Sequence, residues 1–184
     1  MIKTMKDAER DAILTVADLM CAAARTAPKG SGKDTVRTAI VTGAEKDKLR
    51  DEMVKKAEEV GEDFIKRDAG CIDRAEAVVL IGCIETPFGY SGCGLCGHDT
   101  CSSNIKTGGK CAFNVTDLGI AVGSAVSIAM DNRIDNRVMY SAGIVAKDLG
   151  FIPEKMGIVY GIPLSVSEKS IFFDRGPGAV IEVK

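Results

Sequence analysis

Glu76-Ala-Val-Val-Leu-Ile-Gly-Cys-Ile84 carries a continuous apolar run from Ala77 onward, bounded by Arg74 and Glu76 on one side and by Thr86 and Pro87 on the other. A short run without alternation fits a strand buried on both faces, and such strands usually lie mid-sheet. On its N-terminal side, Glu45 to Arg67 carries Leu49, Met53, Ala57, Val60 and Phe64 along one face, which predicts one amphipathic outer helix. Before that, Thr35 to Thr42 is β-branched and roughly alternating, as in a strand. Asp7 to Arg25 has the apolar period of a helix through Ile13, Val16, Met20 and Ala24, with Thr4 as its cap and a break at Pro28, Gly30 and Gly32.

On the C-terminal side, residues 85–111 have no apolar period and form an unusually long connection. Thr116 and Asp117 can cap a helix through LGIAVGSAVSIAM, whose small residues suit the deep core or an interface. Asp135 opens a further helical stretch, RVMYSAGIVAKDLG, closed by Gly150 and Pro153. Met156 to Val166 reads as a strand interrupted at Gly161 and Pro163. Ile171 to Phe173 and Val180 to Val183 are short strand candidates around a turn at 174–178. Alternating helices and strands define an α/β or α+β class, a sheet flanked by helices, with one domain over residues 1–184 and an inserted loop at 85–111.

A length of 184 residues suffices for a real core without disulfides. The net charge of -2 comes from interspersed acids and bases, so no field is laid out for nucleic acid or an anionic membrane. The N-terminus reaches charge at once, and the apolar stretches are too short or too rich in small residues to span a bilayer, which predicts a soluble cytoplasmic chain. Seven cysteines in such a compartment point to metal or redox chemistry rather than disulfides.

Four of those cysteines stand together as Cys93-Gly-Leu-Cys96-Gly-His-Asp-Thr-Cys101 and, nine residues on, Cys111. Thiolate is the soft ligand an iron–sulfur cluster requires, and four suffice for one cubane. Gly92, Gly94, Gly97, Gly108 and Gly109 let the backbone wrap closely. A closed zinc site uses the same ligands, usually as two paired Cys-x2-Cys knuckles where one is present here, and metal-free thiols are the third reading. Cys21 and Cys83 read as small core residues and Cys71 has no evident place. His98, the one histidine, could replace a ligand or hydrogen-bond to sulfide, but reads first as a solvent-facing loop residue. No acid/base pair or nucleophile–histidine arrangement stands out, so no catalytic residue is assigned.

CGLCGHDTC with the later GGKC resembles the single-cluster 4Fe-4S domain of anaerobic corrinoid and carbon monoxide-metabolising systems, with Cys93, Gly94, Cys96, Gly97, Thr100 and Cys101 matching its core. AARTAPKGSG, the cysteine loop and DLGIAVGSAVSIA together resemble, over nearly the whole chain, prokaryotic proteins containing a ferredoxin domain. The order helix, Ala27-Pro28, strand, small-residue helix and GFIPEKMGIVYGIPLS is similar to nitroreductase-like flavoproteins. That likeness implies an FMN site at a homodimer interface, with Arg25, Lys29, Lys33 and Gly161 as its contacts. The paired N-terminal arginines of those enzymes are absent. The Lys29 to Lys33 stretch also reads as a solvated turn. Together these resemblances imply electron transfer with a redox partner protein or a small substrate; a flavin-dependent nitroreductase-like oxidoreductase and a non-catalytic zinc-stabilised protein are the alternative readings.

Overall fold

The computed structural model describes residues 2–173. Six helices and four strands follow in order: α1 (Met5–Thr26), β1 (Val36–Val41), α2 (Gly43–Val60), α3 (Asp63–Arg74), β2 (Ala77–Ile84), α4 (Cys101–Lys106), α5 (Ala112–Asp131), β3 (Asp135–Asn136), α6 (Tyr140–Asp148) and β4 (Met156–Ser165). The sheet order is β1-β2-β4-β3, and every pairing is antiparallel.

Strand β2 is central and buried along nearly its whole length. Ala77, Val79, Ile81 and Cys83 pack with Ile13, Val16 and Met20 of α1 and with Leu118 and Ala121 of α5. Val78 and Leu80 point the other way, into Leu49 and Met53 of α2, Ile65 and Ile72 of α3 and Val145 of α6. A strand with helices on both faces loses all exposure, so its sequence shows no alternation even though its neighbours are antiparallel. Thr4 caps α1 through a reciprocal capping box with Asp7.

Several boundaries depart from the sequence-based expectation. The helix predicted over 45–67 is two, because Gly61 takes a left-handed φ of 72° and its N–H closes on the Ala57 carbonyl, which ends α2. Helix α5 begins at Ala112, with Cys111 as its N-cap residue, so Asp117 lies inside the helix rather than at its cap. The segment after Asp135 starts extended: Asp135 and Asn136 pair with β4, and Met139 exchanges two backbone hydrogen bonds with Gly161 before α6 begins.

Strand β4 is continuous through Gly161 and Pro163. Its far-side pairings fall at Gly161, Leu164 and Ser165, so the missing N–H of Pro163 interrupts no ladder bond there. Residues 171–173 form a turn, with Phe172 buried in the core, where a strand was expected. The expected strand at Val180 to Val183 and the turn at 174–178 lie outside the described residues.

Helix α5 is the one helix among the described residues long and apolar enough to cross a bilayer. Leu118, Ala121, Val122 and Ala125 are buried, and α5 packs on α1 and β2. Its Ser124 hydroxyl donates to the Ala23 carbonyl at 3.1 Å. Gly119, Ile120 and Gly123 lie on the opposite, exposed face.

Candidate metal centre and the adjoining loop

The connection from β2 to α5 carries the four clustered cysteines, and all four line one pocket together with Phe88, Tyr90, His98, Asn104 and Phe113. Cys93 and Cys96 flank a tight turn in which the Gly97 N–H donates to the Gly94 carbonyl at 2.9 Å. Gly92, Gly94 and Gly97 all have left-handed φ. Cys101 is the first residue of α4. There the Thr100 hydroxyl accepts from the Ser103 N–H at 3.1 Å and the Ser103 side chain caps in return. Cys111 opens α5. Cys93, Cys96 and Cys101 are half-buried, Cys111 is buried, and none is in a disulfide.

Among the described residues, no three His, Cys, Asp or Glu side chains are gathered tightly enough to hold a single metal ion. The donor set, four free thiols facing one pocket, matches the ligand chemistry of an iron–sulfur cluster.

The loop's two ends are bound to the scaffold. Asn114, on the first turn of α5, donates its side-chain amide to the Ile84 carbonyl at 3.1 Å and the Thr86 carbonyl at 2.8 Å, where the chain leaves β2. Glu85 accepts from Lys110 at 3.2 Å and from Lys155 at 2.7 Å, and these two ammonium groups hold its carboxyl down at about 2. His98, expected in solvent, is half-buried at the pocket wall.

The Lys29 to Lys33 loop abuts this site. Phe88 stacks on Phe113 with centroids 5.1 Å apart, and Tyr90 meets Phe113 edge-on at 5.2 Å. Lys33 sits over the Phe88 and Tyr90 rings at 5.4 and 5.1 Å and donates to the Phe88 carbonyl at 3.0 Å. Ser31 and Tyr90 share a hydrogen bond through their hydroxyls. The Gly30 N–H is shared between both Asp117 carboxylate oxygens at 3.1 Å, and Asp117 is buried.

The residues assigned to a flavin hold structural positions. Lys29 donates to the carbonyls of Ala24, Arg25 and Ala27 at 3.0, 2.8 and 2.9 Å, closing the end of α1. Burial, then the neighbouring Arg25, pushes its ammonium pKa down, against the pull of Asp117. Arg25 is ion-paired with Asp34. Gly161 faces α6, where an added Cβ would lie 2.7 Å from the Ala142 methyl. Only Lys33 borders the cysteine pocket, through the rings beneath it.

Cys21, Cys71 and Cys83 lie apart from the set, with thiol pKa values pushed up chiefly by burial. Cys71, unplaced from the sequence, packs in the core behind β2 and points its sulfur at the Ile171 carbonyl. Sequence reasoning missed Phe88, Tyr90, Phe113, Asn104, Asn114 and Asp117. Aromatics are 5% of the chain, so three of them within and just after one loop was the available signal for the wall.

The antiparallel sheet between helical layers defines a nitroreductase-like fold. Solved structures with this architecture include nitroreductase CinD from Lactococcus lactis in complex with nicotinic acid, with a TM-score of 0.59 at 16% identity, covering 85% of this chain and 79% of that one. The hypothetical oxidoreductase YcnD from Bacillus subtilis superposes with a TM-score of 0.53 at 17% identity, covering 85% of this chain and 58% of its own length. An NADPH:FMN oxidoreductase from Vibrio harveyi complexed with NAD+ gives 0.54 at 12%, covering 85% of this chain and 60% of that one.

At the level of sequence, an uncharacterized protein of Archaeoglobus fulgidus is 40% identical over 185 residues, covering 96% of this chain and 99% of that protein. The family model "Uncharacterized protein containing a ferredoxin domain (DUF2148)" matches residues 107–175, and the chain belongs to this family. That match includes Cys111 and begins after the other three cysteines of the pocket.

Proposed function

We propose that the chain is an iron–sulfur protein of electron transfer, holding one 4Fe-4S cluster on Cys93, Cys96, Cys101 and Cys111. The observation that carries this reading is that four cysteines spread over the connection from β2 to α5 line a single pocket. A cluster that gives each cysteine its own iron suits four cysteines spread along one pocket lining, whereas one tetrahedral zinc needs all four sulfurs about 2.3 Å from a single point. When bound, such a cluster accepts and returns electrons. The chain's own part is to hold Cys93 and Cys96 in the glycine turn and Cys101 and Cys111 at the starts of α4 and α5, wall them with Phe88, Tyr90 and Phe113, and leave the Leu95 tip exposed to a redox partner protein or small substrate. Reduced thiols suit a cytoplasmic setting.

FMN is the second cofactor that the fold neighbours suggest. Lys29, Arg25 and Gly161 are already committed to helix closure, an ion pair and sheet packing, and Lys33 is held over the Phe88 and Tyr90 rings, so these residues do not fit a flavin cradle. We propose that the exposed small-residue face of α5 pairs two copies of the chain, which light scattering on the purified protein reads directly.

Anaerobic purification followed by iron, acid-labile sulfide and zinc analysis tests the cluster. Four irons and four sulfides per chain are expected, with most of both lost in Cys111→Ser. Stoichiometric zinc without sulfide would sink the reading.

A further inference from the structure

Asn104 is a buried polar residue inside the cysteine loop, 2% exposed, and its side chain lines the same pocket as the four thiols. It lies three residues after Cys101 on α4. Its Nδ2 donates to the Lys110 carbonyl at 3.2 Å, and its backbone carbonyl accepts the Gly109 N–H at 2.9 Å. One residue therefore ties the helix that starts at Cys101 to the two residues preceding Cys111. The packing around it is close. An added Cβ on Gly109 would lie 2.6 Å from the Asn104 Nδ2 and 3.1 Å from the His98 Nε2.

A side-chain amide has two N–H donors. The Lys110 carbonyl takes one, and the structure gives the Nδ2 no second acceptor among the described residues. The second N–H belongs to a buried side chain that lines the pocket of the four thiols, where a sulfur can accept it.

We propose that Asn104 is a positioning residue that draws Cys111 into the ligand set and donates its second amide N–H to a sulfur of the bound cluster. This rests on the cluster reading given above. Donation to a thiolate or sulfide offsets the negative charge that reduction adds, so it favours the reduced state and raises the potential. No bond is made or broken; only the balance between oxidised and reduced cluster moves.

The test uses the full chain, reconstituted anaerobically with iron and sulfide. Wild-type protein that takes up neither ends the cluster reading and this inference together, before any variant is compared. In loaded protein, Asn104→Leu keeps approximate size without the donor. The expected result is about a tenfold fall in the reduced-to-oxidised ratio at a fixed solution potential, which is about 59 mV for a one-electron couple. Asn104→Gln, which keeps the donor, should recover part of it. Loaded Asn104→Leu with a ratio within about twofold of wild type overturns the inference. Should that variant not fold, wild-type protein carrying 15N only in its asparagine side-chain amides decides the matter. A nitrogen hyperfine coupling to the reduced cluster supports the inference, and its absence overturns it.

Discussion

Asn114 holds the base of the cysteine loop, and removing it should loosen the loop by a calculable amount. Its side chain is 2% exposed and donates to the Ile84 and Thr86 carbonyls, joining the end of β2 to the first turn of α5, three residues after Cys111. Each such bond contributes about 1 kcal/mol net. Ile84 and Thr86 are not themselves buried, so water can reach the stranded carbonyls and the penalty stays near that value. One term opposes the loss: the Asn114 Oδ1 is buried with no partner, and truncation removes that cost. Packing lost around the amide roughly offsets this gain. Asn114→Ala should therefore lose about 2 kcal/mol, a fall of roughly 4–8 °C in Tm.

Asn114→Asp separates the hydrogen-bond argument from simple loss of volume. An ionised carboxylate has the same shape but no donor, and it would face two carbonyl oxygens from a buried position. The cost should exceed that of alanine at neutral pH, on the order of 3 kcal/mol or more. Burial and the carbonyls raise its folded pKa, so the destabilisation is full at high pH and eases as pH falls through that raised value, where the protonated carboxyl regains one donor. Urea melts of both variants from pH 5 to 8 provide the assay. An aspartate variant as stable as the alanine variant throughout, or an alanine variant within about 0.5 kcal/mol of wild type, would refute the reasoning.

Two further outcomes follow from the packing and the charge pattern. Gly143 of α6 lies against β4 so closely that an added Cβ would sit 1.8 Å from the Val159 carbonyl oxygen. Backbone cannot swing aside as a side chain can, so Gly143→Ala should cost about 3 kcal/mol, the upper end for an overpacked site, in urea unfolding; an unchanged midpoint would mean that α6 rides further from the sheet. Glu85 has its folded pKa depressed to about 2 from an ordinary 4.5 by Lys155 and Lys110. Its contribution is therefore fully present above pH 4.5 and is lost as pH falls toward 2. Glu85→Gln should differ from wild type in denaturant midpoint at pH 6 and converge on it in acid, and a gap that stays constant with pH would count against the ion pairs.

The parts of the fold readable from sequence were those fixed by neighbours along the chain. The central strand announced itself because helices cover both its faces, which leaves nine residues almost without a polar position. Thr4 was legible as a cap because its partner, Asp7, is three residues away. Where a local signal was read wrongly, a neighbouring pattern masked it: Gly61 stops α2, yet the apolar spacing continues through Phe64 and makes two helices look like one. The edge segment after Asp135 was unreadable for a different reason, since its extended form depends on pairing with β4, more than twenty residues later.

The site divides the same way, and the division has a chemical cause. A cysteine set of this kind is legible because few other roles place four cysteines in one short stretch of chain. The residues that hold them are Asn and Asp, whose short polar side chains do one thing in many settings: they satisfy backbone groups. Asp117 preceding an apolar run has the composition of a helix cap, and it does accept a backbone N–H, but that of Gly30, 87 residues earlier in the chain. Asn104 and Asn114 likewise donate to carbonyls, one six residues away and the other twenty-eight to thirty. Sequence alone shows the capacity of such a side chain and leaves its partner open. Once the fold brings Gly30, Ile84 and Lys110 around one loop, these three residues become its clamps, and the cysteines acquire a rigid setting that their spacing alone does not provide.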